Sequence, residues 1–178
     1  RQPIVDRIYE HPLEQFDFRN YPKASWVLHM LRCQLGPKLY RQTILTYLRA
    51  YALGAVETQN LQSVLEELSG KSLDKFFDQW LHHGGVPELK ITYTWHAQDK
   101  LAKVTVEQTQ QTGDDVLLFE FPTKLRFVLD GKSIDEPIEV KKKQQDYFVR
   151  LPAEPQVVRF DPEYSVLALV DFALPDKM

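Results

Sequence analysis

The apolar positions of this chain change period partway along it. From Tyr21 to about residue 85 they recur at helical spacing, and beyond it they alternate at period two. From Tyr21 the pattern predicts a first helix over Pro22–Leu35. Proline is well tolerated there, because the first turn of a helix has no intrahelical use for its missing N–H. Trp26, Val27, Met30, Leu31 and Cys33 cover more than one face, which predicts a mostly buried helix with a buried thiol. Gly36 is the natural stop, and Pro37 opens a second helix on which Ile44, Leu48 and Tyr51 recur before Gly54. Thr58 is the expected N-cap of a third helix, with Leu61, Val64, Leu65 and Leu68 as its stripe and Gly70 as its end. Ser72 is the expected cap of a fourth, with Leu73, Phe76, Phe77 and Trp80 facing inward and Asp74 favourably placed in the first turn.

Gly84-Gly85-Val86-Pro87 breaks the helical pattern. Beyond it Leu89, Ile91, Tyr93 and Trp95 alternate with polar residues, as do Ala102, Val104 and Val106. Leu117, Phe119, Phe121, Leu125, Phe127 and Leu129 predict one long strand interrupted at Pro122. Asp130-Gly131 signals a hairpin turn. Shorter strands are predicted at Ile138–Lys141, Tyr147–Leu151, Gln156–Phe160 and Val166–Val170. The expected fold class is therefore α+β: an all-helical segment over residues 1–85, then an antiparallel, immunoglobulin-like β-sandwich over residues 86–178. Residues 1–20 carry Pro3 and Pro12 without sustained periodicity and read as an irregular approach segment.

At 178 residues, 43% of them hydrophobic, the chain is long enough for one domain or two small ones with real cores. A net charge of −3 gives no basic footprint for nucleic acid. The run Lys141-Lys142-Lys143 lies near Glu139 and Asp146 and reads as a solvated strand end. No apolar run approaches the length needed to span a bilayer, so no membrane partner is expected. Arg1 begins a polar segment, and the absence of an initiating methionine leads us to expect that the chain starts inside a longer gene product.

Few residues offer chemistry by themselves. His29 and Cys33 share a helix face, but no second pair completes a tetrahedral metal site, and core packing accounts for them. His82-His83 falls at a helix C-terminus, where imidazolium interacts favourably with the dipole. His11-Pro12-Leu13-Glu14 is not a zinc motif, because no second His follows and Pro12 disfavours a continuous helix. There is no His-Glu-x-x-His, no phosphate-binding glycine loop and no Gly-x-Ser-x-Gly elbow.

One segment carries more. Tyr21-Pro22-Lys23-Ala24-Ser25, followed by an apolar helix, resembles the Tyr-x-Lys-Gly-Ala helix start of the aminopeptidase N family of zinc metallopeptidases. Arg1-Gln2-Pro3-Ile4-Val5 and Leu13-Glu14-Gln15-Phe16-Asp17 resemble the segment that precedes the tyrosine there. Leu35-Gly36, the capped helix at Thr58, Ser69-Gly70, Leu73-Asp74-Lys75-Phe76-Phe77-Asp78-Gln79-Trp80, Gly85-Val86-Pro87-Glu88-Leu89 and Phe160-Asp161-Pro162 are similar to family positions in the same order. Ala24 and Ser25 depart from the family, which usually has Gly and Ala at these places.

The resemblance implies the end of a thermolysin-like catalytic domain followed by a β-sandwich. It implies a zinc ion held by two His and a Glu that lie outside this chain, and a peptide substrate engaged through that missing part of the catalytic domain. It also implies a catalytic role for Tyr21, whose hydroxyl would donate a hydrogen bond to the oxyanion of the tetrahedral intermediate. By itself the chain would bind no catalytic zinc and hydrolyse nothing. A second reading stays open: some relatives have lost the metal ligands and serve as scaffolds, in which case Tyr21 is a relic. A stand-alone helical-plus-sandwich binding protein is a third.

Overall fold

A computed structural model describes residues 2–6, 8–17 and 19–173 of the chain. Arg1 of the opening motif lies outside the described residues, as do residues 174–178 at the end of the expected sandwich. The chain divides into two compact units, Gln2–Gly84 and the residues from Gly85 onward.

The first unit is helical. Its helices are α1 (Ala24–Leu35), α2 (Pro37–Ala50), α3 (Thr58–Ser69) and the short α4 (Asp74–Phe77), which continues as a π-helical turn over Asp78–His82. Gly36 joins α1 to α2 at φ 79°, and Gly70 ends α3 in the left-handed region. The inward stripe of the fourth helix is as expected: Leu73, Phe76, Phe77 and Trp80 are all buried. Val27, Met30, Leu31, Val64 and Leu65 complete this core.

Four expectations for this unit are corrected. The cap of α3 is Glu57 rather than Thr58, because the Asn60 side-chain oxygen reaches back to accept the Glu57 N–H at 2.7 Å. Leu73 rather than Ser72 stands at the N-cap of α4. Ser72 still serves that end, since its hydroxyl accepts the Asp74 N–H at 3.4 Å and donates to the Asp74 carboxylate at 3.0 Å. The Cys33 thiol is exposed, not buried. α1 buries a single face, and Trp26 and Leu28 are partly open to solvent.

The second unit holds two sheets. One is four-stranded in the order β5-β2-β1-β7, built from β1 (Glu88–His96), β2 (Leu101–Gln108), β5 (Gln144–Arg150) and β7 (Leu169–Ala173). The other is three-stranded in the order β4-β3-β6, built from β3 (Phe121–Leu129), β4 (Lys132–Val140) and β6 (Val157–Phe160). Burial alternates along β1, β2 and β3, and each strand turns one face to a core formed by Leu89, Ile91, Val104, Val106, Leu125 and Phe127. Asp130 (φ 47°) and Gly131 (φ 73°) make the β3–β4 hairpin turn that their sequence predicts.

The unit is a helical segment's β-sandwich partner in chain order, but it is not wholly antiparallel. β7 pairs with β1 in parallel, Glu88 against Leu169 and Ile91 against Phe172. It also begins three residues later than the strand predicted at Val166, because Val166 is held in a loop by the Asp161 carboxylate, which accepts its N–H at 3.0 Å. The long strand predicted from Leu117 starts only at Phe121. Pro122 sits inside β3 without interrupting it: Pro122 pairs with Glu139 of β4, while β6 pairs with β3 only from Leu125 on, so no β6 ladder bond calls for its N–H.

Candidate functional site

Tyr21 stands on a π-helical turn, Arg19–Lys23, that runs directly into α1. Pro22 lies within this opening turn, and the Ser25 hydroxyl donates to the Pro22 carbonyl at 2.9 Å. The tyrosine side chain is 62% exposed, with its ring centroid 6.4 Å from that of Phe16. The site residue singled out from the sequence is thus presented at the surface of the helical unit rather than packed into its core.

The turn is fastened from the approach segment. The Arg19 guanidinium donates from Nη1 to the Asp6 carboxylate at 2.9 Å, from Nε to the Asp17 carboxylate, and from Nη2 to the Glu14 carbonyl at 3.1 Å. The Arg19 N–H donates to Asp17 Oδ1 at 2.8 Å, and the Asn20 side-chain amide donates to the Gln15 carbonyl. The Ile8 N–H donates to the other Asp6 oxygen at 3.0 Å. That bond, and then the guanidinium, holds the Asp6 carboxyl below its ordinary range. For Asp17 burial pushes the carboxyl up, but the Arg19 N–H and guanidinium outweigh it and the net shift is downward. Burial alone would lower Arg19, yet its two carboxylate partners raise it. Lys23, at the end of the turn, is pulled down by burial and by the nearby Arg19 charge.

Sequence reading missed this clamp. Asp6 is thirteen positions from Arg19, and no local pattern links them. The only signal was the spacing Asp17-x-Arg19-x-Tyr21, which carries no meaning without the fold.

The other chemistry-bearing residues fall elsewhere. Cys33 Sγ and His29 Nε2 are 3.4 Å apart on α1. His83 Nδ1 lies 3.1 Å from the Asp78 carbonyl oxygen. Among the described residues no group of three or more His, Cys, Asp or Glu side chains is arranged to hold a metal ion. Nor is any described helix long and apolar enough to cross a membrane. Within the helical unit Val27, Leu28, Leu31, Leu61 and Phe77 line an apolar cavity of about 320 Å³.

Residues 2–80 match the peptidase family M1 domain. Among curated proteins, aminopeptidase M1-D of Oryza sativa subsp. japonica is 30% identical over 118 residues, which cover 66% of this chain and 11% of that protein. Aminopeptidase M1-A of the same species is 26% identical over 154 residues, 78% of this chain and 17% of its own length. The puromycin-sensitive aminopeptidase of Caenorhabditis elegans is 23% identical over 141 residues, 76% and 15% of the two chains. The chain thus spans 11% to 17% of the length of these curated relatives. Among solved structures, aminopeptidase A of Legionella pneumophila in complex with aspartic acid shares the fold at a TM-score of 0.75 and 17% identity, over 98% of this chain and 20% of that one.

Proposed function

We propose that this chain, whose residues 2–80 match the peptidase family M1 domain, is the end of an aminopeptidase catalytic domain with its following β-sandwich, and that Tyr21 is the oxyanion donor of the parent enzyme. Residues 1–85 are the catalytic-domain part and residues 86–178 the sandwich domain. The parent removes N-terminal residues from peptides, and its zinc ligands lie outside this chain. Zinc supplies the polarisation of the scissile carbonyl in such enzymes. The chain's own contribution is a phenolic O–H aimed at the oxygen that gains negative charge as the carbonyl is attacked. A donor fixed before the reaction begins stabilises that charge without reorganisation in the transition state.

The observation that carries this reading is the placement of Tyr21. It lies within the residues that match peptidase family M1, on a turn fastened through Arg19 to three acceptors.

Tyr21→Phe in the full-length parent removes one hydroxyl and leaves the ring. Loss of one oxyanion donor costs about 2.7–4 kcal/mol, so kcat should fall roughly 10²- to 10³-fold with KM little changed. An unchanged kcat would sink the assignment. The isolated chain should cleave no aminoacyl substrate, and chelator-sensitive cleavage by it, free of contaminating protease, would contradict the proposal.

A further inference from the structure

We propose that Arg19 is a positioning residue for Tyr21, its guanidinium locking the π-helical turn that presents the tyrosine hydroxyl. The inference rests on the reading of Tyr21 as an oxyanion donor.

A π-helical turn is a rare backbone form that recurs at functional sites. Here support for the turn converges on one side chain. Arg19 lies two residues before Tyr21 on the same turn and directs three guanidinium N–H groups at three separate acceptors, Asp6, Asp17 and the Glu14 carbonyl. Those acceptors belong to different stretches of the approach segment. Together they fix the turn in position and rotation, as one contact would not.

An isolated exposed ion pair contributes little. This pair is different, with the Arg19 and Asp6 side chains only 13% and 15% exposed and both already held by further bonds. The planar fork of arginine suits several directed bonds at once, whereas lysine offers a point charge on a flexible stem. Arg19 does not touch the reacting atoms. Its effect passes through the place of the Tyr21 hydroxyl, and a misplacement of about 1 Å at a reacting centre is enough to cost roughly 10²-fold in rate.

The test uses the full-length, zinc-loaded parent with the variants Arg19→Gln, Tyr21→Phe and the double variant. Arg19→Gln should lower kcat by about tenfold to a hundredfold, the scale of such misplacement, while KM stays near its wild-type value. In the Tyr21→Phe background the same substitution should have no further effect on kcat, because the hydroxyl it positions is gone. Arg19→Lys should restore only part of the loss. If Arg19→Gln does not fold, Asp6→Asn takes its place, with the same pattern expected. A wild-type kcat for Arg19→Gln beside a damaged Tyr21→Phe overturns this inference alone. So does an equal fall of kcat with and without the Tyr21 hydroxyl, which marks a structural role. A wild-type kcat for Tyr21→Phe overturns the reading of Tyr21, and the inference with it.

Discussion

Gln108 serves as a strand partner for Phe119. Its side-chain amide donates to the Phe119 carbonyl at 2.8 Å, and its side-chain oxygen accepts the Phe119 N–H at 3.0 Å. The same oxygen accepts a bond from Gln110 Nε2 at 2.8 Å. Both glutamines are buried, and together they replace the ladder that the segment before β3 lacks.

Gln108→Leu keeps the volume and removes those bonds. Leaving a buried peptide group short of a partner costs about 1–3 kcal/mol. We expect the unfolding free energy of the chain to drop by at least that much in urea, with faster amide exchange at Phe119. Equal stability of the variant and the wild type would show that the amide is dispensable.

Gly85 is the next sensitive point. Its φ is +76°, and a Cβ built there would lie 3.0 Å from Val116 Cγ1. Val116 is buried and has little room to yield. Gly85→Ala therefore meets an unfavourable backbone conformation and a close contact together. A cost of roughly 1–3 kcal/mol is expected from the backbone alone. Thermal unfolding of Gly85→Ala beside Gly113→Ala checks this, since a Cβ at Gly113 meets nothing within 4 Å. Equal melting temperatures for the two variants would contradict this cost.

Tyr93 and Tyr147 both bear on alkaline behaviour. The Tyr93 hydroxyl is buried without a hydrogen-bond partner among the described residues, and burial, with Glu154 adding to it, pushes the phenol up to about 12. Tyr147, whose hydroxyl donates to the Glu139 carbonyl at 2.7 Å, is also raised to about 12, by burial and then Glu139. A phenol raised in the folded state keeps its proton longer there than in the unfolded chain. Its contribution is complete below the ordinary value of 10.0 and is lost as pH rises through about 12. Denaturation midpoints should fall across this window in the wild type and fall less steeply in Tyr93→Phe. Identical pH slopes would contradict the assignment.

The parts of this fold that could be read in advance are those in which a side chain's surroundings follow from its near neighbours. The helix entered through Tyr21-Pro22, the Gly70 stop, the stripe from Leu73 to Trp80 and the Asp130-Gly131 turn all obey local rules of spacing and backbone freedom. What escaped reading depends on distant partners. Thr43 is fully buried on α2, where its hydroxyl is satisfied by donating to the Leu39 carbonyl at 3.0 Å, within its own helix, and nothing in its polarity announces that. Cys33 was expected inside because it follows apolar residues, yet it lies on the outer face of α1. Val166 reads as strand, but Asp161 takes its N–H. The candidate site divides in the same way: Tyr21 is visible in its motif, while the Asp6–Arg19 link is not.

The parallel pairing of β7 with β1 also sets an order of events during synthesis. β1 and β2 are neighbours in the chain and can pair as soon as both have emerged. The other side of β1 has no partner until Leu169–Ala173 arrives. Until then that edge is open, carrying unpaired backbone groups on the strand that holds Leu89 and Ile91. A nascent chain stopped short of β7 thus exposes a sticky strand edge, and the first strand of the sandwich is the last to be completed.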